Sequence, residues 1–376
     1  MPVPELPIEE VVAGLRREHP ELEAIAAVAA DPLFVVGGAV RDQLLGRGRA
    51  DLDLVVVGDA GALARSLGAD PVEHERFATA KVELDGHEVD LATARTETYP
   101  QPGALPAVAP AAAIEEDLGR RDFTVNAMAV PVGGEPRLVD PHGGREDLGR
   151  GLLRVLHERS FEDDPTRAIR AARYAARLGF GLEAETEALI READLGTVSE
   201  DRRWAELRRL AAEENAPRGF ELLAGWGLVR LRDGGAELAA DVAALLALPP
   251  WRGEVERADA VLAAALGPVE GEVALAEASP ARPSEGVDLA GRCDPARLVL
   301  ARALGAEWLD DYMSEWRAVA LEIDGADLIA AGIPQGPALG RGLAAALRAK
   351  LDGEIAGRES ELAAALAAAR DDQASP

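Results

Sequence analysis

Short apolar runs alternate with turn-forming residues through the first 150 residues of the chain. Residues 33–36 and 54–57 are apolar runs next to glycine, proline or aspartate, which is the pattern of buried strands. Residues 80–95 contain two alternating runs around an Asp-Gly pair, which predicts a β-hairpin. Three other segments have helical spacing: residues 20–30, 39–48 and 60–69. We expect a mixed α/β domain built on a small, mostly antiparallel sheet.

Two later segments of this part carry less regular patterns. Residues 100–113, PQPGALPAVAPAAA, are rich in proline, and we expect an irregular connection there. Residues 123–144 contain apolar runs on both sides of a Gly-Gly pair, and we expect strands around a turn.

β-type patterns almost disappear after residue 150. Apolar residues then recur every three or four positions, and glycine or proline separates the segments. The fold class that this order predicts is α+β, with a small mixed, mostly antiparallel sheet followed by an all-helical remainder.

Composition limits where such a chain can work. Hydrophobic residues make up 48% of the sequence, but no apolar run approaches the roughly 18 residues that cross a bilayer. The start of the chain is acidic and lacks the basic and then apolar segments of a secretion signal. Cys293 is the single cysteine, so neither an intrachain disulfide nor a cysteine metal cluster can form. We expect a cytoplasmic protein with no membrane partner.

The distribution of charge matters more than its sum. The formal net charge is −27, which taken alone argues against binding to nucleic acid. Residues 165–178, however, contain four arginines and no acidic residue. A local basic surface is therefore compatible with the acidic total.

Asp51 and Asp53 flank one leucine at the start of the strand predicted for residues 51–59. Side chains alternate along a strand, so both carboxylates would lie on one face, about 7 Å apart. Divalent cations such as Mg²⁺ would offset their repulsion, because carboxylate oxygens are hard ligands. Two solvated aspartates are the alternative, and they are the better explanation of an isolated pair because so short a motif often arises by chance.

Gly37 and Gly38 stand at a predicted strand-to-helix turn shortly before these aspartates. Backbone N–H groups can approach an anion at such a turn, and Arg41 follows one turn into the helix. An ordinary tight turn explains the glycines alone, but not an anion site directly before a metal site. The Gly-x-Gly-x-x-Gly pattern of dinucleotide-binding folds does not occur here.

Arg121, Asp122 and Asn126 form a third polar group within RRDFTVNAMA. Their guanidinium, carboxylate and amide offer donors and acceptors that suit a ribose and a triphosphate. A charged strand entry with an ion pair is the alternative.

Arginines recur every third residue in the helix predicted after Pro165. Arg167, Arg170 and Arg173 form one stripe, with Asp164 at its head. A solvated basic face is the usual explanation of such a run. Arginines without an interleaved acid repel one another, however, so we favour anionic or base-edge ligands. Asp164 and Arg167 together present acceptor and donor groups, as the hydrogen-bonding edge of a base does.

Four segments in this order resemble the motifs of one known family. GGAVRDQLLG followed by DLD, RRDFTVNAMA, DPHGGREDL and DPTRAIRAARYAARLGF are similar to motifs of class II tRNA nucleotidyltransferases, the CCA-adding enzymes. They are also similar to those of bacterial poly(A) polymerases, and both groups belong to the DNA polymerase β nucleotidyltransferase superfamily. The resemblance is strong to about Phe180 and weaker beyond it. Four motifs in order are far more specific than any one of them.

The resemblance implies a role for each matching residue. Asp51 and Asp53 would be the catalytic residues that hold two Mg²⁺ ions, and whether Asp90 is a third carboxylate of that site stays open. The residues implied to bind the nucleotide are Gly37, Gly38, Arg41, Arg121, Asp122, Asn126, Asp164, Arg167, Arg170 and Arg173. Within this set, Asp164 and Arg167 would select cytosine or adenine in place of a nucleic-acid template.

The resemblance also implies a division into four domains. These are a catalytic head (residues 1–150), a helical neck with the nucleotide-selecting helix (151–215), a helical body (216–320) and a helical tail (321–376).

The implied reaction is the addition of C and A from CTP and ATP to the 3′ end of tRNA by two-metal nucleotidyl transfer. A poly(A) polymerase and an enzyme that adds only CC or only A would share the same motifs. A non-catalytic RNA-binding protein is a further alternative, which the presence of both aspartates and of the RRD segment disfavours. The partners are therefore expected to be tRNA, ATP and CTP, and the oligomeric state stays open.

An acidic protein needs a basic path to hold tRNA. The candidates from the sequence are the neck arginines and those of DRRWAELRRL, namely Arg202, Arg203, Arg208 and Arg209. A solvated helix face is an equally good explanation of the second group.

Overall fold

The computed structural model describes residues 6–47, 52–68, 72–74, 79–84, 86–267 and 271–370. Asp51, predicted to hold metal, lies outside these residues. The chain divides into two compact units, Met1–Val229 and Arg230–Pro376. The finer division into head, neck, body and tail stays a prediction.

Every strand of the described residues lies in the first unit. The strands are β1 (Leu33–Val36), β2 (Asp53–Val56), β3 (Val72–His74), β4 (Thr79–Leu84), β5 (His87–Thr93), β6 (Arg95–Thr98), β7 (Ala107–Pro110), β8 (Ala129–Pro131), β9 (Leu152–Leu153) and β10 (Gly181–Leu182).

Six strands form the main sheet, in the order β3-β4-β5-β2-β1-β8. The β2–β5 pair is parallel, and the other neighbours are antiparallel. The predicted hairpin corresponds to β4 and β5, which pair in the antiparallel direction. The expectation of a small mixed, mostly antiparallel sheet is confirmed.

Two expectations for irregular or extended segments were wrong in part. Residues 107–110 are not an irregular connection, because they form β7 and pair with β6. A two-stranded ribbon has open edges, which accommodate a proline without its N–H. Residues 124–126 are a 3₁₀ turn instead of a strand, and Val139 makes a single bridge to Ala129.

The first unit also contains eleven α-helices among its described residues. They are α1 (Ile8–Glu18), α2 (Glu21–Val28), α3 (Gly38–Leu44), α4 (Ala60–Ser66), α5 (Ile114–Gly119), α6 (Gly144–Arg150), α7 (Ser160–Asp163), α8 (Thr166–Leu178), α9 (Ala184–Ile190), α10 (Glu200–Ala211) and α11 (Ala216–Gly225).

A core beneath the sheet fixes the helix that precedes the RRD segment. Ile114 and Leu118 of α5 are 3% and 0% exposed and pack with Phe34 and Val55 of the sheet. Full burial of a leucine side chain contributes about 2 kcal/mol. This packing sets where the chain emerges from α5 into Arg120 and Arg121.

Helix α8 has one apolar and one polar side. Ala168, Ile169 and Ala172 are fully buried, and the helix packs against α10 and α11. Pro165 precedes its first residue, and Gly179 ends it in the left-handed conformation with φ +74°. Both features match the usual helix limits. The polar side carries Arg170 and Arg177, which pair with Asp122 and Asp42.

The second unit is helical throughout its described residues. Its helices are α12 (Gly235–Leu245), α13 (Arg257–Leu266), α14 (Glu272–Ala276), α15 (Pro283–Ala290), α16 (Pro295–Ala303), α17 (Trp308–Ser314), α18 (Gly325–Ala330), α19 (Pro337–Leu351) and α20 (Arg358–Arg370). Ile323, Leu328, Ile333 and Ala365 lie in the core of its last part. No helix in either unit's described residues is long and apolar enough to cross a membrane.

Candidate active site

One cavity of about 790 Å³ in the first unit brings three of the four sequence motifs together. Every predicted site residue within the described ranges lines it. These residues are Gly37, Gly38, Arg41, Asp53, Arg121, Asp122, Asn126, Asp164, Arg167, Arg170 and Arg173. Segments more than 100 residues apart in sequence therefore meet at one polar surface.

Gly37 lies at the turn between β1 and α3 and requires the absence of a side chain. Its φ is +66°, which favours glycine. A Cβ atom there would lie 2.9 Å from Nη1 of Arg121. The glycine turn and the RRD segment are thus in close contact, which the sequence separation does not suggest.

Arg41 is 3% exposed and holds two groups in place. Its Nε donates to Oδ1 of Asp42 at 2.8 Å, and its Nη2 donates to Oδ2 at 3.0 Å. Its Nη1 donates to Oδ1 of Asn126 at 2.5 Å. The side chain is therefore fixed before any ligand binds.

Asp122 is the acceptor at the centre of the same network. Its Oδ1 accepts from Nδ2 of Asn126 at 2.9 Å, and its Oδ2 accepts from Nε of Arg170 at 2.8 Å. Burial alone would raise the pKa of this carboxyl. The Arg170 charge, the hydrogen bonds from Asn126 and Arg170, and the Arg167 charge outweigh that effect and hold the pKa at about 2. The residue is ionised at neutral pH.

The predicted base-selecting pair is held by neighbouring groups. Arg167 is 4% exposed and donates from Nη1 to Ser160 Oγ (2.7 Å) and from Nη2 to the carbonyl oxygen of Arg120 (2.8 Å). Oδ1 of Asp164 accepts from Thr166 Oγ1 at 2.6 Å and from Arg202 Nη2 at 2.9 Å. Both side chains are thus held in place by residues that are not part of the arginine stripe.

The arginine stripe of α8 does have acidic partners, contrary to the argument from local sequence. They come from distant segments: Asp122 pairs with Arg170, Glu213 with Arg173, and Asp42 with Arg177. Repulsion within the stripe is therefore offset by the fold. The cavity can still bind a ligand, but repulsion between the arginines is not evidence for one.

Asp53 is the first residue of β2, and its side chain is exposed at the cavity. It lies directly across from Asp90 on the parallel strand β5. Nζ of Lys81 lies 3.3 Å from Oδ1 of Asp90 and also contacts Glu88. Within the described residues, no three His, Cys, Asp or Glu side chains are grouped as a metal site. Among the described residues, Asp53 is the member of the predicted metal-binding pair, and Asp90 is the carboxylate across from it.

Several cavity residues were not predicted from the sequence. They are Asp42, Glu97, Tyr99, Arg120, Thr166, Tyr174, Arg177, Ala205 and Glu206. Tyr174 is 8% exposed, and its ring centroid lies 4.5 Å from the guanidinium carbon of Arg173. Its position four residues after Arg170 was an available signal.

Two of the four arginines of DRRWAELRRL that were proposed to bind tRNA line the cavity. Arg202 and Arg209 line it, and Arg202 contacts Asp164 directly. Arg203 pairs with Glu200 on its own helix and is not among the lining residues. A tRNA role for these side chains stays a prediction.

Comparisons with known proteins identify the family of this chain. Residues 33–154 match the family model of the poly A polymerase head domain. The CC-adding tRNA nucleotidyltransferase of Deinococcus radiodurans is 39% identical over 346 residues, which are 88% of this chain and 87% of that relative. The A-adding tRNA nucleotidyltransferase of Aquifex aeolicus is 43% identical over 197 residues, 50% of this chain but 24% of that relative. This chain thus matches about a quarter of the second relative's length.

A solved structure has the same fold over almost the whole chain. It is a CCA-adding enzyme in apo form II, with a TM-score of 0.80 and 28% identity over 96% of each chain. The fold and the cavity define a nucleotidyltransferase. The chain belongs to the tRNA nucleotidyltransferase family, and the family resemblance inferred from its motifs is confirmed.

Proposed function

We propose that this protein adds C and A nucleotides from CTP and ATP to the 3′ end of tRNA, without a nucleic-acid template and with release of pyrophosphate. One observation carries the proposal. The groups directed at phosphate, sugar and base, which belong to three of the four motifs, line one cavity. Family membership supports tRNA as the acceptor.

The triphosphate would lie against the turn at Gly37 and Gly38. The Gly37 N–H donates to the carbonyl oxygen of Met128 at 3.1 Å, so the phosphates would be bound chiefly by Nη1 of Arg121, which lies beside the turn. Arg41 is fixed by Asp42 and Asn126, so its positive charge is held in place. Fixed charge of this kind stabilises the negative charge that develops as pyrophosphate leaves.

The ribose would be held by Asp122 and Asn126, and the base by Asp164 and Arg167. Cytosine and adenine each carry an exocyclic amino donor next to a ring-nitrogen acceptor. A carboxylate and a guanidinium side by side match that pattern, whereas uracil and guanine present the opposite one. A wrong base would leave buried polar groups unpaired, which is a strong basis for rejection.

Asp51 and Asp53 would hold two Mg²⁺ ions, and the donor set fits hard cations. The Asp53 carboxylate is exposed at the cavity, opposite Asp90. When bound, such ions lower the pKa of the attacking 3′ hydroxyl and neutralise the leaving pyrophosphate. The protein residues then align the terminal ribose and the nucleotide for in-line displacement.

A restricted activity is the second candidate. One relative that matches along most of the chain is a CC-adding enzyme, and one A-adding relative matches half of it. Addition of CC alone is therefore a specific alternative to addition of all three nucleotides, whereas the head motifs do not discriminate between them or exclude poly(A) addition.

Three tRNA transcripts test these possibilities. They end before CCA, after C, and after CC, and each is incubated with labelled CTP, with labelled ATP or with both, in Mg²⁺. The Asp51→Ala/Asp53→Ala double variant is the control for contaminating activity. Stepwise growth to CCA followed by a stop is the expected result.

Other products would redirect the assignment. Growth by CC alone or A alone would identify a partial enzyme, and long adenosine tails would identify a poly(A) polymerase. No incorporation on any primer by folded protein would contradict the proposal and favour the non-catalytic alternative.

A further inference from the structure

Asp117 lies next to the cavity, and the proposed function assigns it no role. It is 0% exposed and belongs to α5, whose sequence IEEDLG ends just before the RRD segment. Its Oδ1 accepts from Nε of Arg120 at 2.9 Å, and its Oδ2 accepts from Nη2 of Arg121 at 3.0 Å. The backbone N–H of Arg95 also donates to Oδ1, at 3.2 Å. One buried carboxylate thus binds two consecutive arginines and the start of β6.

The spacing makes this possible. Arg120 and Arg121 follow Asp117 by three and four residues, and such positions share one side of a helical turn. Both arginines line the cavity, whereas Asp117 does not. The carboxylate therefore holds the two guanidinium groups from behind.

The two arginines depend on Asp117 to different degrees. Arg120 has a second carboxylate, because its Nη1 donates to Oε1 of Glu97 at 3.0 Å. For Arg121, Asp117 is the one acidic partner among the residues that the structure describes. Loss of the Asp117 charge would therefore release Arg121 more than Arg120.

Arg121 is also the arginine that reaches the glycine turn. Its Nη1 lies 2.9 Å from the position that a Cβ of Gly37 would occupy. The Arg121 side chain is 16% exposed. It lines the cavity together with Arg41, Arg167 and Arg170. Arg41 and Arg170 are paired with Asp42 and Asp122, and Asp117 holds Arg121 in the corresponding way.

We propose that Asp117 is a positioning residue for nucleotide binding, which fixes the guanidinium of Arg121, and secondarily that of Arg120, against the phosphate-binding turn at Gly37. The inference rests on the proposed function, because it takes the triphosphate to lie at that turn. Asp117 pre-organises the arginines, so that nucleotide binding does not have to order them.

Equilibrium binding of ATP, without tRNA and in Mg²⁺, tests the proposal on the full chain by calorimetry. Asp117→Asn keeps the side-chain shape but removes the charge, and the Kd for ATP should rise about 10-fold or more. Arg121→Ala should weaken binding similarly. In the double variant, Asp117→Asn should add less than about 3-fold to the effect of Arg121→Ala, because its route of action is already gone.

Glu361→Gln is the matched control. Glu361 is also 0% exposed and pairs with Lys350 in the second unit, but it does not line the cavity. It should lower thermal stability and leave the Kd for ATP within about 2-fold of the parent protein. Asp117→Asn binding ATP as tightly as the parent would overturn the proposal. So would full additivity with Arg121→Ala, which would indicate a general structural effect.

A measurement on the unmodified protein covers the case in which Asp117→Asn does not fold. Relaxation of the arginine Nε–H groups should show Arg121 as rigid as the backbone before nucleotide is added, and Arg150, 62% exposed, as mobile. Equal mobility of the two would overturn the proposal. A parent protein that binds no ATP at all would instead overturn the proposed function itself.

Discussion

Arg170 and Asp122 form an ion pair between the helix α8 and the RRD segment, 48 residues apart in sequence. Nε and Nη2 of Arg170 lie 2.8 Å and 2.6 Å from Oδ2 of Asp122. The Asp122 side chain is 6% exposed, so the pair is largely shielded from water. The helix that carries the proposed base-selecting residues is thereby fixed to the residues proposed to hold the sugar.

This pair should make the first unit sensitive to acid. The folded-state pKa of Asp122, about 2, lies below its ordinary value of 3.8. Its contribution to stability is therefore present above about pH 4 and is lost as the pH falls from about 4 to about 2. The shift corresponds to about 2 kcal/mol. Urea unfolding between pH 7 and pH 2, with amide exchange in α8 as the local probe, measures it.

Asp122→Asn provides the comparison. It should destabilise the first unit at pH 7 by about 2 kcal/mol, because the guanidinium of Arg170, whose side chain is 30% exposed, loses its charged partner. The stability of this variant should also lack the Asp122 contribution to the fall between about pH 4 and about pH 2. An unchanged acid profile in Asp122→Asn would show that other carboxylates govern the acid transition.

Gly37→Ala should weaken nucleotide binding beyond its effect on stability. The positive φ makes alanine cost about 1–3 kcal/mol, and the new methyl group displaces Nη1 of Arg121. Gly46→Ala is the control, because Gly46 has φ +64° but open space around its Cβ position. We expect a Kd for ATP raised at least about 10-fold in Gly37→Ala and unchanged in Gly46→Ala. Equal Kd values in both variants would show that the Gly37 turn is not part of the phosphate site.

Asp53→Ala should abolish nucleotide transfer without unfolding the protein. The side chain is exposed at the first residue of β2, so its removal leaves the sheet core intact. We expect kcat to fall at least about 10³-fold and the circular dichroism and Tm to stay close to those of the parent.

Glu83→Gln, an exposed acid on β4, is the control for loss of a sheet carboxylate. It should retain full activity, and excess EDTA should reproduce the Asp53→Ala result in the parent protein. Activity that persists in Asp53→Ala would remove Asp53 from the proposed metal site.

Arg202→Ala and Arg203→Ala should have different effects, although the residues are neighbours. Arg202 contacts Asp164 at 2.9 Å in the cavity, whereas Arg203 pairs with Glu200 on α10. Arg202→Ala should raise the KM for CTP and ATP about 10-fold and increase incorporation of UTP, because Asp164 loses an orienting donor. Arg203→Ala should leave the nucleotide KM unchanged. Steady-state kinetics with each nucleotide distinguishes them, and a rise in the KM for tRNA alone in both variants would restore the tRNA assignment.

The sequence predicted the local elements and the motif residues of this site well. The Asp-Gly hairpin, the glycine turn before α3 and the helix after Pro165 each depend on residues within a few positions of one another. Such local rules operate without knowledge of the fold. The motif order then placed eleven cavity residues that the structure describes.

Long-range charge compensation could not be predicted in the same way. The arginines of α8 find Glu213, Asp42 and Asp122 only after the chain has folded, so their stripe looked unpaired in the sequence. Asp117 was missed for another reason. Its helical spacing to Arg120 and Arg121 is visible in EEDLGRRD, but its burial behind the cavity is not.

Under the proposed function, side chains of this protein select the nucleotide and no nucleic-acid template does. Single-turnover addition to a tRNA transcript ending before CCA, with each of the four nucleotides supplied separately, tests it most directly. We expect CMP to be added, and UMP and GMP to be added at least about 10³-fold more slowly, with this preference reduced in Arg167→Ala. Equal rates for CTP and UTP, or a preference unchanged in Arg167→Ala, would contradict it.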